Sequence, residues 1–186
     1  MPEYEDRRAD FVIEMYRVYW ANMARSMEGV WKILAPITVA GTIIAAVHKE
    51  YLPGPLGISL AFLVIFWALN MTIDLNAWHR RNLFFLTKVE QQFLRSQDYG
   101  GLLPKEYKKP ATGWITFYKI NAWVFFAFLV LTVIYSALWK FPNTGATGNW
   151  LMPGVVFSVG VISTILNARE QGKSSQEHFN ELFGKE

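Results

Sequence analysis

Residues 60–94 read LAFLVIFWALNMTIDLNAWHRRNLFFLTKVEQQFL, and the remaining segments are most simply read around them. The opening LAFLVIFWALNMTI is a membrane helix by composition. No Gly or Pro interrupts the 35 residues. At about 1.5 Å per residue the stretch predicts a rod of roughly 50 Å, longer than the ~30 Å hydrocarbon slab. Its first half is therefore expected to cross the bilayer and its second half to stand in the cytoplasm. The junction carries Asn70, Asp74, Asn76, His79, Arg80 and Arg81, the densest polar cluster beside any apolar run in the chain.

Composition agrees with that reading. Of 186 residues, 52% are hydrophobic and only 18% are charged, against about 25% charged in an average soluble domain. Cysteine is absent, which excludes disulfides, thiolate metal sites and thiol catalysis. The first 28 residues are charged and amphipathic, so no cleavable signal peptide is expected.

Outward from the rod, the pattern predicts an all-α integral membrane protein with four transmembrane helices in two hairpins. A cytoplasmic helical layer would be formed by the N-terminal helix and the extension of the second span. Residues 1–28 form the amphipathic helix, with Phe11, Met15 and Val18 on one side and Asp10, Glu14 and Arg17 on the other. It is expected to pack on the cytoplasmic layer or to lie in the membrane interface. Gly29 is read as a hinge. Residues 29–73 hold the first hairpin, with spans near 30–47 and 56–73; Pro36 is expected to kink the first. Residues 74–119 hold the extension and a loop opened by Gly100 and Gly101. Residues 120–166 hold the second hairpin, and 167–186 form a polar tail with a short helix starting at Ser175.

Charge sets the orientation. Lys49 and Lys140 are the only basic residues in the two outer turns, and the other 16 of the 18 Lys and Arg lie on the opposite side. The positive-inside rule then puts both termini in the cytoplasm, in a multi-pass protein of the inner or plasma membrane. Trp31, Trp78, Trp114, Trp139 and Trp150 fall near the expected interfaces, as an aromatic belt requires. Three four-residue matches, LNAW at 75, INAW at 120 and LNAR at 166, recur near the inner interface. They fit either a duplicated two-helix unit or shared interface chemistry.

Three sets of residues are candidates for function. Asn70, Asp74 and Arg81 share a helix face and could form an intramembrane polar gate; the bland alternative is a structural pairing of Asp74 at headgroup level. His79, Arg80, Arg81, Lys105, Lys108 and Lys109 could contact anionic lipid headgroups, or could be the ordinary basic flank of a membrane helix. Gly41 with Ala45, Gly154 with Ser158, and Gly160 with Thr164 form small-residue pairs where helices can approach closely. Leu83, Leu86 and Phe93 are too apolar for a solvated rod and call for a cytoplasmic partner surface.

Catalysis is not expected. His48, His79 and His178 lack metal-ligand spacing, and no phosphate loop, nucleophile elbow or pair of intramembrane carboxylates occurs. No cofactor is expected, and nucleic acid is not expected as a partner because topology explains the basic residues. The expected partners are the lipid bilayer and either further copies of the chain or other membrane subunits. The leading expectation is a self-assembling membrane protein, with an ion-conducting or gated pore as one form of it. The alternatives are an accessory subunit of a larger complex and a membrane-perturbing effector triggered from the cytosol. In plan alone the chain is similar to small four-span bacterial oligomeric membrane proteins and to membrane effectors of prokaryotic defence systems, with no shared motif.

Overall fold

The computed structural model describes residues 2–33, 35–93, 116–138 and 151–183, and over them the protein is all-helical with no strand. The helices are α1 (Pro2–Ile33), α2 (Ala35–His48), α3 (Gly54–Phe93), α4 (Thr116–Leu138) and α5 (Leu151–Phe183). Three of them, α3, α4 and α5, are long and apolar enough to cross a membrane, with mean hydropathies of 2.1, 2.0 and 1.8 over their most apolar stretches. The fourth apolar helix, α2, has 14 residues. Its length of about 21 Å is short of the ~30 Å slab.

Helix α3 is the rod that residues 60–94 predict. It runs 40 residues without a break. Its start is marked by Pro53, Gly54 and Pro55; a proline is tolerated in the first helical turn, where its missing N–H has no partner to lose. Other boundaries differ from the sequence reading. Gly29 does not end α1, which continues to Ile33. Pro36 is the second residue of α2, and Leu34, between α1 and α2, lies outside the described residues. Ser175 does not begin a separate helix either, since α5 passes through it from the apolar segment to Phe183. Residues 94–115 and 139–150, with Lys105, Lys108, Lys109, Lys140, Trp114, Trp139 and Trp150, lie outside the described residues, as does the side chain of Phe93.

The α2–α3 turn closes with paired capping bonds. The Tyr51 N–H donates to the Ala46 carbonyl at 2.9 Å and the Glu50 N–H to the Val47 carbonyl at 3.0 Å. This is the Schellman arrangement, which needs a left-handed residue after the helix. Glu50 takes that place at φ 61°.

The chain divides into two compact units. The apolar unit comprises Val30–Asp74 and Ile115–Glu170. Within it α3 is central: 56% of its apolar stretch is buried, against 6% for α5. Ile58, Ala61, Phe62, Ile65, Phe66 and Leu69 of α3 are buried, together with Ala40 and Val47 of α2 and Phe125 and Leu129 of α4. Phe157 of α5 packs edge-on against Phe62 and Phe66, with ring centroids 5.3 and 5.7 Å apart. Two glycines permit the closest approaches. A side chain at Gly57 would collide with Val47, and one at Gly160 would collide with the Phe66 ring. Buried hydroxyls are satisfied inside their own helices: Ser59 donates to the Pro55 carbonyl, Thr72 to Ala68 and Thr132 to Phe128. This back-bonding lets a hydroxyl sit among apolar groups without an orphaned proton.

The amphipathic unit comprises Met1–Gly29, Leu75–Trp114 and Gln171–Glu186. Leu83, Phe84 and Leu86 are buried in it, as their apolar character requires, with Ala77 and Met23. Tyr19 of α1 stacks on Phe85 of α3 at 4.1 Å. Phe179 of α5 meets Phe84 edge-on at 5.3 Å. These aromatic contacts hold the polar ends of α1 and α5 to α3 and account for the continuity of α5 through its polar sequence.

Candidate functional site

In the apolar unit the polar chemistry gathers at Asn70. Its side-chain amide donates to the Phe66 carbonyl at 2.9 Å and to the Thr164 hydroxyl oxygen at 3.2 Å. Its side-chain oxygen accepts a hydrogen bond from the Asn167 amide at 3.0 Å. Both amide hydrogens of Asn70 are thus engaged within one chain. An amide facing lipid without partners would cost several kcal/mol, so the bonds fix which faces of α3 and α5 meet. Gly160, one turn before Thr164, brings α5 close enough for them to form.

The contacts also give a direction. Phe62 and Phe66 meet Phe157, Phe66 meets Gly160, and Asn70 meets Thr164 and Asn167. Residue numbers rise together along both helices, so α3 and α5 run parallel within this unit. The partners at the cluster are neutral amides, a hydroxyl and a carbonyl. Such groups position helices; none of them exchanges protons near neutral pH. Among the described residues no three His, Asp or Glu side chains gather as a metal site would require.

The other members of the expected gate have their own surroundings. Asp74 is half-buried and engaged with a partner. Arg81, in the amphipathic unit, donates from Nη2 to the Gln171 side-chain oxygen at 3.3 Å. Its Nε is enclosed without a hydrogen-bond partner among the described residues.

Of the expected headgroup contacts, His79 departs most from a surface role. It is only 6% exposed, and burial lowers its pKa to about 4. It is therefore neutral at physiological pH and brings no charge to a lipid phosphate. Arg80 is half-buried, and burial lowers its pKa to about 10, which leaves it charged.

The small-residue pairs separate into two kinds. Gly160 and Thr164 are used against α3, and a Cβ added at Gly41 would lie 4.0 Å from the Phe128 ring of α4. Ala45, Gly154 and Ser158 are exposed, and open space surrounds Gly154. The Ser158 hydroxyl donates to the Gly154 carbonyl at 2.9 Å.

Sequence reasoning missed Asn167, Gln171 and Gly57 as contact residues. A signal for the first two exists: Gly160, Thr164, Asn167 and Gln171 follow a 4-3-4 spacing and so line one helix face. No protein-family model, curated protein or solved structure matches this chain.

Proposed function

We propose that this is a non-enzymatic multi-pass membrane protein that assembles with further copies of itself through α5. The observation that carries the reading is the state of that helix: only 6% of its apolar stretch is buried within the chain. Leu151, Val155, Val159, Ile162 and Leu166 are exposed along it, with Gly154 and Ser158 among them. Lipid solvates an apolar face well, but a small-residue notch is filled better by another helix, which packs closely and adds contacts.

In this reading α2, together with the last turn of α1, makes a fourth crossing, and both termini lie in the cytoplasm of an inner or plasma membrane. The 16-to-2 division of basic residues supports the orientation. The parallel course of α3 and α5 supports two hairpins that cross in the same sense. The hydrogen bonds of Asn70 support a role in holding α5 to α3 rather than in lining a pore, so the assembly reading does not depend on conduction.

The test is mass determination in native-like lipid for wild type and Gly154→Leu. A Cβ added at Gly154 meets nothing within 4 Å among the described residues. The expected result is an oligomer that becomes monomeric in the variant. A monomeric wild type ends the reading. An oligomer indifferent to Gly154→Leu moves the interface away from α5. A stoichiometric second protein favours an accessory subunit instead.

A further inference from the structure

Helices α1 and α3 leave a groove between them that the packing of the amphipathic unit does not fill. Met23 is buried and Tyr19 stacks on Phe85 at 4.1 Å, which defines the closed side of the contact. Phe11, Met15 and Val18 follow one another at helical spacing along the groove. Between them and Trp78 and Asn82 of α3 lies a volume of about 540 Å³. That falls in the range of small-molecule sites, roughly 300–1,000 Å³. All of these residues belong to the amphipathic unit.

Three features of the wall select an occupant. The first is aromatic surface. Phe11, Tyr19 and Trp78 all line the groove. Phe11 is 65% exposed and Trp78 39%, so their rings have area left for a ligand. The negative faces of such rings attract cations, tryptophan most strongly. The second is charge. Among the described lining residues Glu14 is the one charged side chain, and neither Lys nor Arg is present. The Glu14 carboxylate meets Arg17 at 3.7 Å, with both side chains exposed. Exposed pairs of this kind contribute little, so a ligand cation can take the place of Arg17 at small cost. The same wall disfavours fatty acids, phosphates and other anions. The third is a missing partner. Asn82 is 5% exposed, and its amide nitrogen has no hydrogen-bond partner among the described residues. A buried donor in that state costs free energy that a ligand acceptor removes. A half-turn of the amide brings its N–H groups to the groove.

We propose that this groove binds a lipophilic organic cation with an aromatic body and an acceptor oxygen. The cationic centre lies between Glu14 and the aromatic rings, the body lies against Met15, Val18 and Trp78, and the oxygen accepts from the Asn82 amide. Occupancy ties α1 to α3, a role separate from assembly through α5.

The test uses the full chain in phosphatidylcholine nanodiscs titrated with berberine, a planar quaternary cation with ether oxygens whose fluorescence rises in apolar surroundings. Empty discs give the baseline for partitioning into lipid. The expected result is a saturable rise above that baseline, with a higher midpoint of thermal unfolding as the site fills. Trp78→Leu should weaken binding about tenfold, the equivalent of ~1.4 kcal/mol, and Glu14→Gln about threefold. The Glu14 side chain is exposed, so Glu14→Gln leaves the packing of α1 intact. Asn82→Leu should weaken binding while raising the midpoint of the unliganded protein, because it removes the unsatisfied donor. The anionic probe anilinonaphthalene sulfonate should fail to displace berberine. Three results overturn the proposal: no saturable signal above empty discs, an affinity unchanged in any of the three variants, or displacement by the anion at similar concentration, which marks a general apolar surface. None of these outcomes depends on the oligomeric state.

Discussion

Two residues carry measurable consequences for stability. Glu50 sits at φ 61° after α2 because the Schellman bonds require a left-handed residue there. A side chain costs roughly 1–2 kcal/mol in that conformation, and glycine escapes the cost while losing more chain entropy on folding. Glu50→Gly is expected to stabilise the protein by roughly 0.5–1 kcal/mol, read as a higher midpoint of thermal unfolding in detergent. His79 acts through pH. Its pKa in the folded protein is about 4, below the ordinary 6.5. Above pH 6.5 both folded and unfolded states are neutral there, and His79 brings no pH dependence. As pH falls from 6.5 towards 4, the unfolded state takes up the proton first, so folding stability declines. The full loss is roughly 3 kcal/mol by one-proton linkage. His79→Gln should remove that part of the acid sensitivity. Parallel unfolding curves for the two proteins across this window would contradict it.

At the scale of elements, the contact between α3 and α5 depends on a missing side chain. Gly160 lies where any Cβ would collide with the Phe66 ring. Overpacking of this kind costs about 1–3 kcal/mol, and here it also pulls the Thr164 hydroxyl from Asn70. Gly160→Leu is expected to lower stability by at least that amount, with partial recovery when Phe66→Ala is added. If Gly160→Leu were as stable as wild type while its oligomer fell apart, Gly160 would belong to an interface between chains. Most of this scale was legible in the sequence. The uninterrupted run from Leu60 to Leu94 announced α3, and the apolar runs announced α4 and the first part of α5. The continuity of α5 was not legible. Gly172 and the polar tail weaken helical propensity, with glycine costing about 1 kcal/mol against alanine. The edge-on contact of Phe179 with Phe84, distant in sequence, favours the helix instead.

For the molecule as a whole, the proposed topology makes a direct prediction. The chain lacks cysteine, so single substitutions label cleanly. With Lys105→Cys and Thr144→Cys, an impermeant maleimide applied to intact cells should reach position 144 and spare position 105. The reverse pattern inverts the topology and moves both termini outside. Labelling at both positions in intact cells would remove the crossing between them.

The sequence by itself determined what depends on neighbours along the chain. Helical character, apolar runs long enough to span, the charge division and the exclusion of thiol chemistry all follow from composition and from spacing of three or four residues. Tertiary structure alone decided which faces meet. An apolar helix looks alike on all sides to hydropathy, because lipid and protein interiors are equally nonpolar. Gly160 and Gly154 are therefore equivalent small residues in the sequence, yet one is pressed against Phe66 and the other faces open space. Nothing local to Asn70 names Thr164 and Asn167, more than ninety residues away, as its hydrogen-bond partners. His79 reads as part of a basic flank until the helices packed around it remove it from water. In each case the deciding partner is remote in the chain, and local periodicity carries no record of it.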